Sequence, residues 1–383
     1  MNSATKNFDY IIVGGGASGL MMAYRMSKDA YFDDKSILIL DQIKKSSNDR
    51  TWCFWEKNIG DWDDILNHSW RDIIFKGDSG AMQTCIEPYV YKMIKSSDFY
   101  QKVWKIISTK QNIQFSEENV VKIQQEESLG VVFTTENKYH SKRIINSVLF
   151  SDVYQEQQKY PVLQQHFVGY FVKTKEPVFT TNAATFMDFT IPQKGNTRFM
   201  YVLPYAENEA LFEYTLFSKE LLEYTAYADA IKAYLEDKNI TDYEIVEKEQ
   251  GAIPMTSYKF WNSNSVNIIH IGTAGGWSKA STGFTFKNID KKTRHLINHL
   301  KKETSLKSFQ KTNRFWFYDL LLLDILSKHN AKGAAVFSRM FKKLSPQLIL
   351  KFLDEETTFS KELKIFSNMQ IRLFSKALIK RLF

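Results

Sequence analysis

The sequence predicts an α/β fold of interleaved parts, and three observations carry that reading. A glycine-rich turn separates a short apolar strand from a helix near the N-terminus. The middle of the chain is rich in β-branched and aromatic residues, and after residue 287 the pattern turns helical. At 383 residues the chain exceeds one typical hydrophobic core, so more than one domain is expected.

The first element, Phe8-Asp9-Tyr10-Ile11-Ile12-Val13, reads as a buried parallel strand. Gly14-Gly15-Gly16-Ala17-Ser18-Gly19 follows, then an apolar helix from Leu20 to Met26. A second strand, Ser36 to Leu40, ends at Asp41. Together these form a Rossmann-like βαβ unit with GxGxxG in register, the signature of dinucleotide binding. Gly14 permits the tight turn, Gly16 lets the backbone approach a pyrophosphate, and Gly19 lets helix and strand pack closely. Gly15 and Ala17 complete the turn, the helix N-terminus offers free N–H groups, and Asp41 is placed to hold a ribose hydroxyl. The pattern alone admits FAD or NAD.

The middle segments 167–172, 185–189 and 198–204 favour strands. A hairpin is expected from Phe199–Leu203 through a polar turn at Glu207-Asn208 to Ala210–Phe217. Helices are expected over 310–329, 333–353 and 358–383. In the last of these, Phe366, Met369, Leu373, Phe374, Ala377 and Leu378 form one apolar stripe, with Lys364, Arg372, Lys376 and Lys380 on another face. That pattern admits two readings: a helix on an anionic membrane surface, or one packed on its own domain with a solvated basic face.

The aromatic share is 15%, including 29 Phe, which suits a long apolar pocket or a large core. Two cysteines, Cys53 and Cys85, argue against a disulfide scaffold. The histidines, His68, His166 and His270 among them, lack metal-ligand spacing, and no metal site is expected. The start has no apolar signal core and no run is long enough to span a bilayer, so the cytoplasm is the expected compartment. A formal charge of +8 suits anionic partners, but no zinc-finger or RNA-recognition signature points to nucleic acid.

Several ordered stretches resemble the lycopene β-cyclase family, flavoproteins that close β-ionone rings on carotenoids. They are Asp49-Arg50-Thr51-Trp52-Cys53-Phe54-Trp55-Glu56, Phe186-Met187-Asp188-Phe189 and Phe199 to Pro204. Ala210-Leu211-Phe212-Glu213-Tyr214-Thr215 and Glu249-Gln250-Gly251-Ala252-Ile253-Pro254-Met255-Thr256 follow. The series closes with Ile271 to Trp277, Ser281 to Phe284, and a helical tail around Tyr318–Leu322 and Lys351–Thr357. The resemblance runs from about residue 8 to 366.

The resemblance implies a glutathione-reductase-type FAD domain with an inserted antiparallel β substrate domain and a helical C-terminal region. The expected division is 1–75, 105–155 and 250–295 for FAD, 76–104 and 156–249 for substrate, and 296–383 for the helices. FAD would be held by the first turn and again by the stretch containing Gly272, Gly275, Gly276 and Gly283. Thr273 stands where relatives outside the cyclases usually have Asp, and its hydroxyl can still meet a phosphate or ribitol. Arg50 would pair with a flavin phosphate or with Glu56.

The family's activity is cyclisation of lycopene ends without net redox change, with FAD in its reduced form and NAD(P)H as electron donor. A pyridine nucleotide would bind only transiently, since no second complete fingerprint is present. Such chemistry needs an acid able to protonate an alkene in a site shielded from water. Glu213 is the expected acid: its strand is largely apolar on both faces, and desolvation biases a carboxyl toward its protonated form. The family's essential glutamate corresponds to Glu213, though this chain has Tyr214 where most members carry a second acid. Asp188, between Met187 and Phe189, would take the ring proton or hydrogen-bond its own sheet. Trp52, Phe54 and Trp55 could line the cavity and offer aromatic faces to a cation. The competing readings are an isoprenoid reductase or hydroxylase of the same superfamily, and a flavin-binding sensor without turnover. The expected location is cytoplasmic and peripheral to the membrane, where acyclic carotenoids reside.

Overall fold

The computed structural model describes residues 6–382. Its first sheet carries Lys6–Val13 at the centre, with Ile37–Asp41 and then Ile113–Glu117 parallel on one side. Lys138–Asn146 lies parallel on the other side and is joined by the short strand Ile268–His270. The hairpin Val120–Glu126 and Leu129–Thr134 extends the sheet antiparallel. Ile37, Leu38, Ile39 and Leu40 are all buried, as a parallel strand covered on both faces requires. One face is closed by the helices Ala17–Ser27, Ser96–Ile107 and Phe286–Leu300, through Leu20, Met21, Phe99, Val103, Phe286 and Leu296.

The second sheet has seven strands in the order Tyr243–Thr256, Val162–Thr174, Glu209–Ser218, Thr197–Ala206, Ala183–Asp188, Asp72–Gly77 and Gly80–Cys85. The expected hairpin is present, with Glu207-Asn208 as its two-residue turn. All pairings are antiparallel except that of Ala183–Asp188 with Asp72–Gly77. Alternation sorts the Glu209–Ser218 strand between two cores. Ala210, Phe212, Tyr214 and Leu216 pack under the helix Tyr224–Asp237. Leu211 and Phe217 face the C-terminal helices, and Glu213 shares their side. A third, three-stranded sheet pairs Thr51–Glu56 and His68–Trp70 with Val90–Lys95.

Two segments sit apart from the expected division. Asp72–Gly77 hydrogen-bonds into the second sheet, and the helix Ser96–Ile107 packs on Ala17–Ser27 of the first. Alternating burial along Asp72–Gly77 and the apolar face of Phe99, Tyr100 and Val103 account for both placements.

The helical end is more broken than expected. The segment 333–353 forms two helices, Gly333–Lys343 and Pro346–Leu353, because Pro346 lacks an N–H and starts a helix behind the Ser345 cap. The segment 358–383 divides into Phe359–Asn368 and Ile371–Leu382. There the Asn368 amide donates to the Lys364 carbonyl, which ends the first helix locally. Met369, Phe366, Leu373, Phe374 and Ala377 turn inward onto the helices before them, and Arg381 pairs with Asp324 at 2.6 Å. That stripe, apart from the exposed Leu378, therefore packs on its own domain. A different set, Phe359, Leu363, Ile371, Ile379 and Leu382, is exposed among Lys361, Lys364, Lys376 and Lys380. Among the described residues no helix is long and apolar enough to cross a membrane.

Candidate active site

The glycine turn is built as its sequence demands. Gly14 has φ +97°, a conformation that costs any residue with a Cβ. At Gly19 a Cβ would run into the Gly14 carbonyl oxygen, so helix and turn meet backbone to backbone. The helix Ala17–Ser27 begins at Gly16 with no side-chain cap, leaving its first N–H groups free for an anion. A Cβ on Gly16 would meet nothing within 4 Å, so space stands open above the turn. Asp41 folds over the turn and accepts from the Gly15 amide and from the Gln42 amide.

From this helix start a cavity of about 400 Å³ runs between the two large sheets. Gly16, Ala17, Arg50, Thr273 and Gly283 line its first part, and Trp52, Tyr91, Phe186, Tyr201 and Phe284 its walls. Phe186, Met187, Thr282 and Phe284 also border a smaller apolar cavity of about 40 Å³ among Phe337, Met340, Phe352 and Phe374. Lys279 pins this region to the C-terminal helices through Asp319 at 3.0 Å and Glu355 at 3.1 Å.

Glu213 opens into the cavity, and what surface it exposes faces that space. Thr215 donates to its Oε1 at 2.5 Å. Burial, and then the nearby Glu249 carboxyl, push the Glu213 pKa well above the ordinary glutamate range. Glu249 lies on Tyr243–Thr256, is 7% exposed, and also lines the cavity. Burial raises its pKa too, with the Arg50 guanidinium opposing this and Glu247 adding to it. Glu249 lies in the 249–256 stretch, where nothing local to the sequence marks its side chain for a role. Its strand register, set by pairing at long range, is what brings it beside Glu213.

Asp188 is placed elsewhere. Its carboxylate is fully buried on the opposite side of the sheet, accepting from the Thr190 amide and hydroxyl and from Tyr234 at 2.8 Å, and pairing with Lys76 at 3.1 Å. Hydrogen bonds from Thr190 and Tyr234 outweigh its burial and lower its pKa, so it is a satisfied structural anion that does not line the cavity. Of the two roles open to Asp188 from the sequence, taking the ring proton or hydrogen-bonding its surroundings, these contacts favour the second.

Other expected residues divide similarly. Trp52 reaches the cavity, whereas Phe54 stacks on Phe286 in the first core and Trp55 donates to Asp354 at 2.9 Å. Arg50 donates to the carbonyls of Asp49 and Gln250 and lines the cavity. Glu56 instead pairs with Lys92 at 3.0 Å. Gly272, Gly275 and Gly276 form the turn beneath Trp277, with Gly272 against Ser18 of the first helix, and only Thr273 of that turn lines the cavity.

The residues present fit a dinucleotide. Thr51 Oγ1, Gln165 Oε1, Thr282 Oγ1 and Glu249 Oε2 are buried side-chain oxygens without hydrogen-bond partners, and all four residues line the cavity. Buried polar atoms are rarely left unpaired, and those of Thr51, Gln165 and Thr282 would meet the polar edge of a flavin-like ring.

Residues 9–379 match the family model described as lycopene cyclase protein. A lycopene beta-cyclase from Paracoccus sp. is 29% identical over 126 residues, 32% of either chain. The chloroplastic neoxanthin synthase of Solanum tuberosum is 23% identical over 318 residues, 74% of this chain and 58% of that protein. The matches thus span less than two thirds of either relative's length. A geranylgeranyl bacteriochlorophyll reductase-like protein from Thermoplasma acidophilum has a TM-score of 0.63 at 11% identity, over 97% of this chain and 99% of its own. The fold is the mixed α/β one shared with flavoprotein oxidoreductases and monooxygenases. By a match over nearly its whole length, the chain belongs to the lycopene cyclase family.

Proposed function

We propose that this protein is a lycopene β-cyclase that holds reduced FAD and closes β-rings on acyclic carotenoid ends without net redox change. One observation carries the reading: Glu213, biased toward its protonated form, faces an aromatic-walled cavity that begins at the dinucleotide turn. The Gly14–Gly19 turn and its helix would take the pyrophosphate, Asp41 a ribose hydroxyl, and Arg50 a phosphate. Thr51, Gln165, Thr282 and the Gly283 backbone would meet the flavin ring. Bound reduced flavin, its electrons drawn from NAD(P)H, would supply an electron-rich surface that favours a nearby cation.

The chain's own residues do the rest. Glu213 donates its proton to the terminal alkene carbon, and the neighbouring double bond attacks the tertiary cation to form the ring. Phe186, Phe284, Tyr91 and Tyr201 exclude water and offer ring faces to the cation. Thr215, bound to one Glu213 oxygen, fixes the carboxyl's orientation. The smaller cavity among the C-terminal helices supplies apolar surface beyond the reacting end.

Anaerobic incubation of the protein with lycopene, FAD and dithionite tests this. The expected products co-elute with γ-carotene and β-carotene and keep the mass of lycopene. Added hydrogens would point to a reductase, added oxygen to a hydroxylase, and unchanged lycopene to a sensor without turnover. NADPH in place of dithionite is expected to sustain the reaction.

We also infer that the protein docks on membranes through the exposed Phe359, Leu363, Ile371, Ile379 and Leu382 and the lysines among them. Flotation with vesicles of anionic phospholipid is expected, and the pair Ile371→Asp and Ile379→Asp is expected to stay at the bottom. Equal flotation of both proteins would sink the idea.

A further inference from the structure

Tyr201, Glu213, Gly169 and Glu249 are successive partners on one row across four adjacent strands. Side chains in such a row share one face of the sheet. Gly169 contributes none, so the carboxyl groups on either side converge over its backbone. A Cβ there would lie 3.0 Å from Glu249 Cγ, 3.3 Å from Glu249 Oε1 and 2.9 Å from Leu211 Cδ1. Any larger residue at 169 would crowd Glu249 and Leu211.

The acids are not equivalent. Glu213 has the Thr215 hydroxyl as its hydrogen-bond donor, within apolar walls. Glu249 has its pKa raised by burial, and of the charges near it the Arg50 guanidinium favours its anion while Glu247 opposes it. Glu249 Oε2 is buried without a partner. Two carboxyl groups sharing one buried site hold one proton more readily than none or two, and the cyclisation reading above places that proton on Glu213.

We propose that Glu249 is the base of this site, taking up the proton released from the new ring and returning it to Glu213 across Gly169. The inference rests on the cyclisation reading above. The steps balance. The Glu213 O–H bond breaks as a C–H bond forms at the terminal alkene carbon, leaving a carboxylate. The internal double bond supplies the electron pair of the new ring C–C bond. A ring C–H bond then breaks, its electrons become the ring double bond, and its proton goes to the Glu249 carboxylate. Transfer of that proton from Glu249 to Glu213 restores the starting state, with no proton or electron gained or lost. The position of the ring double bond is then set by which C–H faces Glu249.

Two measurements on the full-length protein decide it. Infrared spectra at neutral pH should show a buried carboxylic acid band that Glu213→Gln removes and Glu249→Gln retains. A band removed only by Glu249→Gln, or absent from the wild type, overturns the assignment whether or not lycopene reacts. In the lycopene assay, Glu249→Gln with normal flavin content should be slowed roughly 100-fold or form a ring with a displaced double bond, and Glu249→Asp should recover part of the rate. Wild-type turnover and product from Glu249→Gln overturn the proposal while leaving the cyclase reading standing. A wild type that binds flavin but leaves lycopene untouched instead overturns the cyclase reading, and the proton-return role with it.

Discussion

Glu213→Gln is expected to lower ring formation by roughly 10³-fold while leaving flavin binding intact. Glutamine keeps the shape and a hydrogen-bonding partner for Thr215, but it cannot deliver a proton to an alkene. The same substitution has an opposite effect on stability. The folded-state pKa of Glu213 is raised, chiefly by burial and then by Glu249, so the native protein binds more protons than the unfolded chain above pH ~4.5. The stabilisation belonging to the protonated carboxyl is fully present below that pH and is lost as pH rises through the folded value. Glu213→Gln removes this loss. The variant should match the wild type near pH 4 and exceed it at pH 8 by on the order of 1 kcal/mol. Wild-type activity should fall over the same alkaline range, as Glu213 ionises. Carotenoid analysis, flavin absorbance and melting temperature against pH read all three. Normal β-carotene formation by Glu213→Gln would rule out Glu213 as the acid.

Gly19→Ala is expected to cost the protein both its flavin and part of its fold. The added Cβ would collide with the Gly14 carbonyl oxygen, a backbone atom with no side chain to move, so helix and strand must separate. Gly16→Ala separates the two losses, because its Cβ meets no protein atom within 4 Å and projects where the turn is open. That variant should fold with an unchanged melting temperature yet bind FAD at least ~10-fold more weakly, as one displaced phosphate contact implies. Flavin affinity unchanged in Gly16→Ala would show that the pyrophosphate does not lie against this helix start.

The contrast between Asp188 and Glu249 shows where sequence reasoning stops. Both are acids in strands, and local pattern cannot tell which face of a sheet an acid will meet. Asp188 turned out to face the helix Tyr224–Asp237, where Tyr234 and Thr190 satisfy it. Glu249 is on an edge strand whose neighbours in sequence are mostly exposed, so nothing local singled it out. Its register against Gly169 placed it over the cavity. Similarly, Trp52, Phe54 and Trp55 are consecutive or alternate in sequence, yet only Trp52 reaches the cavity.

The sequence by itself determined the α/β class, the glycine turn, the Glu207-Asn208 hairpin and the apolar setting of Glu213. Each of these depends on backbone geometry or side-chain period within a few residues, which local chemistry dictates. Only the tertiary structure decided that the last segment folds back as two helices, that Asp188 is a structural anion, and that Glu249 meets Glu213 across Gly169. The first depends on apolar contact with earlier helices, and the other two on pairing between strands far apart in the chain. A one-residue slip in register would have turned either acid to the other face.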